Sequence, residues 1–180
     1  MKREFAPSRL DVIGFAEEAA SLSGSDGVEG YARLGAELAD AATRAHVDWT
    51  AVGESRPGAD GAPVAWLHLQ ADTTLPFVCQ RCLAPVPLSL KVDRWFRVAA
   101  DEEVAAIEDE EADEDVLVAA RDFDLKGLIE DELLMEIPVT PRHDVCPEPV
   151  QLSAEDPDFE EASAARPNPF AVLGALKPRK

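Results

Sequence analysis

From Pro87 to Val98 the chain reads PLSLKVDRWFRV, with Leu88, Leu90, Val92, Phe96 and Val98 on one phase of a two-residue alternation. Ser89, Lys91, Asp93 and Arg97 fall on the other. Successive side chains of a strand point to opposite faces, so this pattern buries one face and wets the other. A parallel sheet covered on both sides would read as a nearly continuous apolar run, so the alternation predicts an antiparallel sheet with one solvated face. Two further strands are predicted upstream, in HVDWTAV from about Ala45 and in VAWLHLQA, joined by the Gly/Pro-rich connection GESRPGADGAP.

A sheet with one apolar face needs a cover. FDLKGLIEDELLMEIP places Leu125, Leu128, Ile129 and Leu133 on one helical stripe, with Asp122 or Asp124 available as the cap and Pro138 ending the helix. In VEGYARLGAELADAATR, Val28, Tyr31, Leu34 and Leu38 recur at three- and four-residue spacings and predict a second amphipathic helix. Gly30 and Gly35 each weaken it by roughly 1 kcal/mol relative to alanine. The fold class expected is α+β: an antiparallel sheet covered by helices, with an acidic loop and an extended C-terminal tail. Its segments are a helical 1–44, a main α+β domain over 45–146, and an acidic linker with a terminal motif over 147–180.

The acidic loop is DEEVAAIEDEEADED, residues 101–115, with ten acidic side chains and no basic one. Charge of that density resists collapse and predicts a solvated loop. It lacks the Asp-x-Asp-x-Asp-Gly register of a calcium loop. Over all 180 residues, 36 acids against 17 bases give a formal charge of −19. A field of that sign repels phosphate backbones and attracts basic proteins. Arg9, Asp11 and Glu17 interrupt the amino-terminal region before a secretory apolar stretch forms, and no run reaches the roughly 18–20 apolar residues needed to span a bilayer. A cytoplasmic protein with reduced thiols and no membrane partner is expected.

Two of the three cysteines stand in FVCQRCLAP, at Cys79 and Cys82. A Cys-x-x-Cys turn can aim both thiolates at one tetrahedral ion. About sixty residues on, RHDVCPEP repeats the spacing with His143 and Cys146, completing three sulfurs and one nitrogen, a donor set suited to structural zinc. Three readings stay open: a zinc site, reduced thiols beside an ordinary loop histidine, and a thiol oxidoreductase. The last predicts a thiol pKa well below 8.5 at Cys79 or Cys82. Against it, Pro85 and Pro87 follow at once, where a redox pair would open a helix. No phosphate loop or nucleophile elbow occurs, and His46 and His68 lie in strand-like runs, so no enzyme is predicted.

The chain closes with RPNPFAVLGALKPRK, where Asn168 and Pro169 precede Phe170, Leu173 and Leu176 at helical spacing, with Lys177, Arg179 and Lys180 behind them. This stripe is a candidate partner-binding element that could dock on its own domain or in a partner's groove.

Taken in order, CQRCL, the alternating strands, the acidic stretch, DLKGLIEDELLMEIPVTPRHDVC and the terminal RPNPFAVLGALK resemble the YceD family of large ribosomal RNA subunit accumulation proteins, from about Val64 to the carboxyl end. The resemblance implies a cytoplasmic bacterial protein that supports synthesis, processing or stability of large-subunit ribosomal RNA, with no settled catalytic activity and no metal carried over from the family. The charge argues that it reaches RNA indirectly, through ribosomal proteins or large-subunit assembly intermediates. The alternative is a direct RNA-binding or RNA-processing factor using local basic clusters such as Arg94 and Arg97 beside Trp95, or Arg179 and Lys180.

Overall fold

The computed structural model describes residues 3–40, 43–58, 61–111, 114–148 and 170. The chain divides into two units, Met1–Cys146 and Pro147–Lys180, and the sheet, its helices and the candidate site all belong to the first. Among the described residues the elements run α1 (Val12–Glu17), β1 (Ser21–Gly27), α2 (Ala32–Ala36), β2 (His46–Pro57), β3 (Pro63–Val78), β4 (Pro85–Ala99), α3 (Glu102–Glu111), β5 (Asp115–Val118) and α4 (Leu125–Met135).

The strands form one sheet in sequence order, β1 to β5. The first four pair antiparallel, with registers such as Gly24↔Trp49, Val52↔His68 and His68↔Trp95. One face carries the core: Val47, Trp49 and Ala51 from β2, Leu67, Leu69 and Leu75 from β3, and Leu90, Val92 and Phe96 from β4. Phe15 of α1, Leu34 of α2 and Leu125, Ile129 and Leu133 of α4 join that cluster. The α4 stripe is therefore buried on three of its four predicted positions, with Leu128 partly buried. Asp124 is the cap, its Oδ1 accepting from the Lys126 and Gly127 N–H groups at 3.1 Å each.

The covering helix α1 comes very close to the sheet at Gly53. A Cβ there would lie 2.6 Å from the Phe15 carbonyl oxygen and 2.8 Å from the Ala16 Cα, so only glycine admits that approach.

Two expectations need correction. The sheet is mixed, because β5 runs parallel to β4 with Phe96 opposite Asp115. A parallel return needs a crossover of about a dozen residues or more, usually helical. The acidic stretch supplies it, and this is the second correction: residues Glu102–Glu111 form α3 in place of a loop. Asp101 Oδ1 accepts the Val104 N–H at 2.9 Å, Glu102 and Glu103 lie at the dipole's positive end, and Glu108 meets Arg97 at 2.8 Å. Glutamate is also a good helix former, so dense charge in solvent does not by itself forbid a helix.

Residues 3–40 hold a strand besides their short helices. SLSGSDG, a run of small polar residues, forms the edge strand β1. The predicted 28–44 helix breaks at Gly30 into a 3₁₀ turn, Val28–Gly30, and the five-residue α2. Its apolar stripe survives the break, since Val28, Tyr31 and Leu34 are all buried.

Candidate functional site

The first cysteine pair sits where β3 turns into β4. The Cys79 N–H donates to the Ala84 carbonyl at 3.0 Å, and the Leu83 N–H returns to the Cys79 carbonyl at 2.8 Å. Leu83 takes φ of 62°, in the left-handed region, so that the chain reverses within a few residues. The turn buries Cys79 completely and leaves Leu83 exposed on its tip.

The second pair arrives from the end of α4. The Gln80 N–H donates to the Pro141 carbonyl at 2.7 Å, which holds the returning chain against the turn. His143 and Cys146 then face Cys79 and Cys82, and the ligating atoms of the four residues all lie within 4.8 Å of one another. The Cys82 Sγ is 3.5 Å from the His143 Nδ1. This cluster could hold a metal ion.

Its electrostatics favour thiolate at Cys79. Burial alone would raise that thiol, but backbone N–H groups of Cys82, His143 and Arg81 point at the sulfur and bring it down to about 5. The Cys82 thiol is pushed up from its ordinary value: an N–H at Ala84 works the other way, and is outweighed by burial and by the neighbouring sulfurs of Cys146 and Cys79. The Cys79 thiol thus meets the acidity predicted for an oxidoreductase. That acidity no longer separates the readings, because backbone donors aimed at a buried sulfur are equally what a metal-bound thiolate needs. Cys79 also lies in a turn between strands, with its sulfur out of solvent contact.

Arg81, which sequence reasoning passed over, reaches from inside the first pair to the second. Its Nε donates to the Cys146 Sγ at 3.0 Å, and one terminal nitrogen donates to the carbonyls of His143 and Asp144 at 2.8 and 3.2 Å. The signal was present in the sequence as a cation between two ligands, but the acceptors lie more than sixty positions away.

The basic clusters proposed for RNA contact are differently placed. Arg94 is on the apolar face of β4, where it meets Asp115 at 3.0 Å, the buried Glu132 at 3.3 Å and Glu136 at 4.0 Å. Arg97 pairs with Glu108. On the polar face, Trp95 stacks on His68 at 4.1 Å with 4° between the planes, and the Arg56 guanidinium lies 4.7 Å from the Trp66 ring centre and 3.9 Å from that of Trp95. Beside them a shallow depression of about 600 Å³ is lined by Asp48, Thr50, Gln70, Asp72, Lys91 and Asp93, among others. Of the terminal candidates, Asn168, Pro169, Leu173 and Leu176 lie outside the described residues, as do Arg179 and Lys180. Phe170 is described, with an exposed ring.

The family model described as Large ribosomal RNA subunit accumulation protein YceD matches residues 67–177, more than half of the chain and both halves of the cluster. The chain belongs to the YceD family. Among its relatives is the Large ribosomal RNA subunit accumulation protein YceD of Haemophilus influenzae (strain ATCC 51907 / DSM 11121 / KW20 / Rd), 33% identical over 102 residues, or 55% of this chain and 58% of the relative. The chain thus spans less than two thirds of the length of that curated YceD protein. No solved structure matches it. Among the described residues no helix is long and apolar enough to cross a membrane.

Proposed function

We propose that this YceD-family chain promotes accumulation of large-subunit ribosomal RNA in the cytoplasm by binding, without catalysis, a basic ribosomal protein or an assembly intermediate that contains one. The observation that carries the choice of partner is charge already spent inside the molecule. Arg94 and Arg97, which flank Trp95 in the sequence, are each paired with carboxylates, and so are Arg3, Arg33 and Arg56. With these cations taken up, the overall −19 disfavours a run of phosphates at that cluster and favours lysine and arginine. The polar sheet face, with Asp48, Asp72 and Asp93 against Lys91, is an acidic surface open to such side chains. The Phe170 segment is proposed as an apolar anchor for the same partner.

The metal is proposed to be zinc, in a structural role. Tetrahedral zinc holds sulfur at about 2.3 Å and nitrogen at about 2.0 Å, which places neighbouring S and N ligands roughly 3.6 Å apart. The 3.5 Å between Cys82 and His143 fits that spacing, and a small contraction brings in the others. Four protein ligands leave no open position for a reacting water, in keeping with a structural ion. Such an ion would tie the β3–β4 turn to the segment following α4.

The direct RNA reading retains one feature in its favour, the Trp66, His68 and Trp95 rings on the wet face of the sheet, since bases can stack on such a platform. Arg56 and His68 already occupy ring faces there, which weakens it.

A pull-down of tagged protein from lysate, divided into nuclease-treated and untreated halves, separates the two. Ribosomal proteins retained after nuclease are the expected result; their complete loss would mean that RNA bridges the contact, and would overturn the protein-partner reading. In the same assay Phe170→Ala with Leu173→Ala should weaken capture with the fold intact, and unchanged capture would remove that segment from the interface.

A further inference from the structure

We propose that Arg81 is a working part of the metal centre: its guanidinium offsets the excess negative charge of a three-thiolate ion and fixes Cys146 in ligating position. The inference rests on the zinc reading and goes beyond it by assigning a role to a residue that ligates nothing.

Charge requires a partner here. A divalent ion with three thiolates and one neutral imidazole carries a net −1, in a protein whose remaining surface is already strongly acidic. A cation at the sulfur cancels that surplus locally, and Arg81 Nε donates to Cys146 Sγ at 3.0 Å. The other two contacts determine geometry. By donating to the carbonyls of His143 and Asp144, the same guanidinium spans the backbone between the second pair of ligands, so the side chain of the first turn holds the second in register. His143 and Cys146 lie beyond the end of α4 in no regular element, where backbone hydrogen bonding would otherwise fix little of their position. The guanidinium reaches the sulfur and the two carbonyls from separate nitrogens of a rigid plane, whereas an ammonium group carries its donors on one atom and would keep the charge but span the bridge poorly.

Arg81 is exposed, and solvent screens the charge effect. The expected consequence is therefore of the size usual for groups that orient metal ligands, a loss of roughly 10–100-fold in affinity on substitution.

Cobalt(II) is the probe, since it takes the same tetrahedral sites and its thiolate-to-metal charge-transfer band reports on the sulfurs. Affinity is measured by competition against a chelator for the wild type, Arg81→Met, Arg81→Lys and Arg142→Met. Arg142→Met removes the same charge one residue from His143, without a contact to sulfur. Expected are a 10–100-fold weaker affinity for Arg81→Met and a shift of its charge-transfer band to lower energy, because a thiolate that loses a donor gives up electrons more readily. Arg81→Lys should fall between Arg81→Met and wild type, and Arg142→Met should stay within about twofold of wild type with its band unmoved. Arg81→Met within about twofold of wild type would overturn the inference. So would a loss of affinity with no band shift, which would mean Arg81 only shapes the loop, or an equal loss in Arg142→Met. Failure of the wild type itself to bind cobalt would instead overturn the zinc reading beneath it.

Discussion

Glu130→Ala should be among the most costly single substitutions outside the hydrophobic core, because this carboxylate is buried while Asp131 beside it is exposed. Its Oε1 accepts the backbone N–H of Arg33 at 2.7 Å and that of Leu34 at 3.1 Å, while Oε2 meets the Arg33 side chain. These N–H groups belong to the first turn of α2 and have no partner within it, so a side chain almost a hundred positions away performs the capping that no local residue provides. Capping interactions contribute typically about 1 kcal/mol, and a buried donor left unpaired costs about 1–3 kcal/mol. The two overlap, and the exposed Arg33 guanidinium adds little. A loss of about 2–3 kcal/mol follows, or roughly 4–12 °C in melting temperature for a unit of this size.

Urea unfolding followed by tryptophan fluorescence measures that loss, with Asp131→Ala as a neighbour that contacts only the exposed guanidinium. Glu130→Gln keeps an acceptor and should cost less than Glu130→Ala. Burial raises the Glu130 carboxyl, but the Leu34 N–H and Arg33 outweigh it and hold the group below its ordinary value. A carboxyl depressed in the folded state stabilises fully above its unfolded pKa, and the contribution disappears as pH falls through the folded value. The difference between wild type and Glu130→Gln should accordingly be flat above about pH 5 and shrink below it. Glu130→Ala costing no more than Asp131→Ala would refute the capping argument.

Other expectations can be checked alongside. Gly53→Ala should destabilise by about 1–3 kcal/mol, because its Cβ meets backbone of α1 that cannot yield without moving the helix; wild-type urea stability would contradict that packing. Burial raises the Glu132 carboxyl despite Arg94, with Asp115, Glu136 and Asp131 adding to the effect, so the folded state takes up its proton first. That term makes the protein more stable as pH falls toward the unfolded carboxyl value. Glu132→Gln should abolish that gain, and an unchanged stability difference between pH 7 and pH 5 would count against it. Stripping metal with a chelator should lower the melting temperature of the wild type and leave a Cys79→Ser, Cys82→Ser double variant unaffected; equal responses would argue against a stabilising ion. Metal content of protein purified without chelator or affinity metal should be close to one equivalent of zinc, and metal-free folded protein would exclude the site.

Much of the candidate centre was legible because its constraint is local. Two pairs at a two-residue spacing declare their donor types in the sequence, whatever distance separates the pairs. Arg81 was not legible as part of it, since an arginine between two cysteines acquires a role only when the carbonyls of His143 and Asp144 are brought to it. Arg94 left a faint trace: it occupies an apolar phase of the β4 alternation, and a charge there demands a partner, which turned out to be Glu132 on α4. The acidic stretch misled because like charge argues against collapse, yet a crossover helix needs no collapse around its solvent face.

The strands with period two, the stripe that α4 buries, its Asp124 cap and the chemical identity of four metal-ligand candidates were already written along the chain. These depend on side-chain spacing and on backbone preferences within a few residues. The parallel run of β5, the pairing of SLSGSDG as an edge strand, the capping of α2 by Glu130 and the meeting of Cys79, Cys82, His143 and Cys146 emerge only in three dimensions. Each depends on contacts between segments far apart in the chain, where spacing along the sequence carries no information about distance in space.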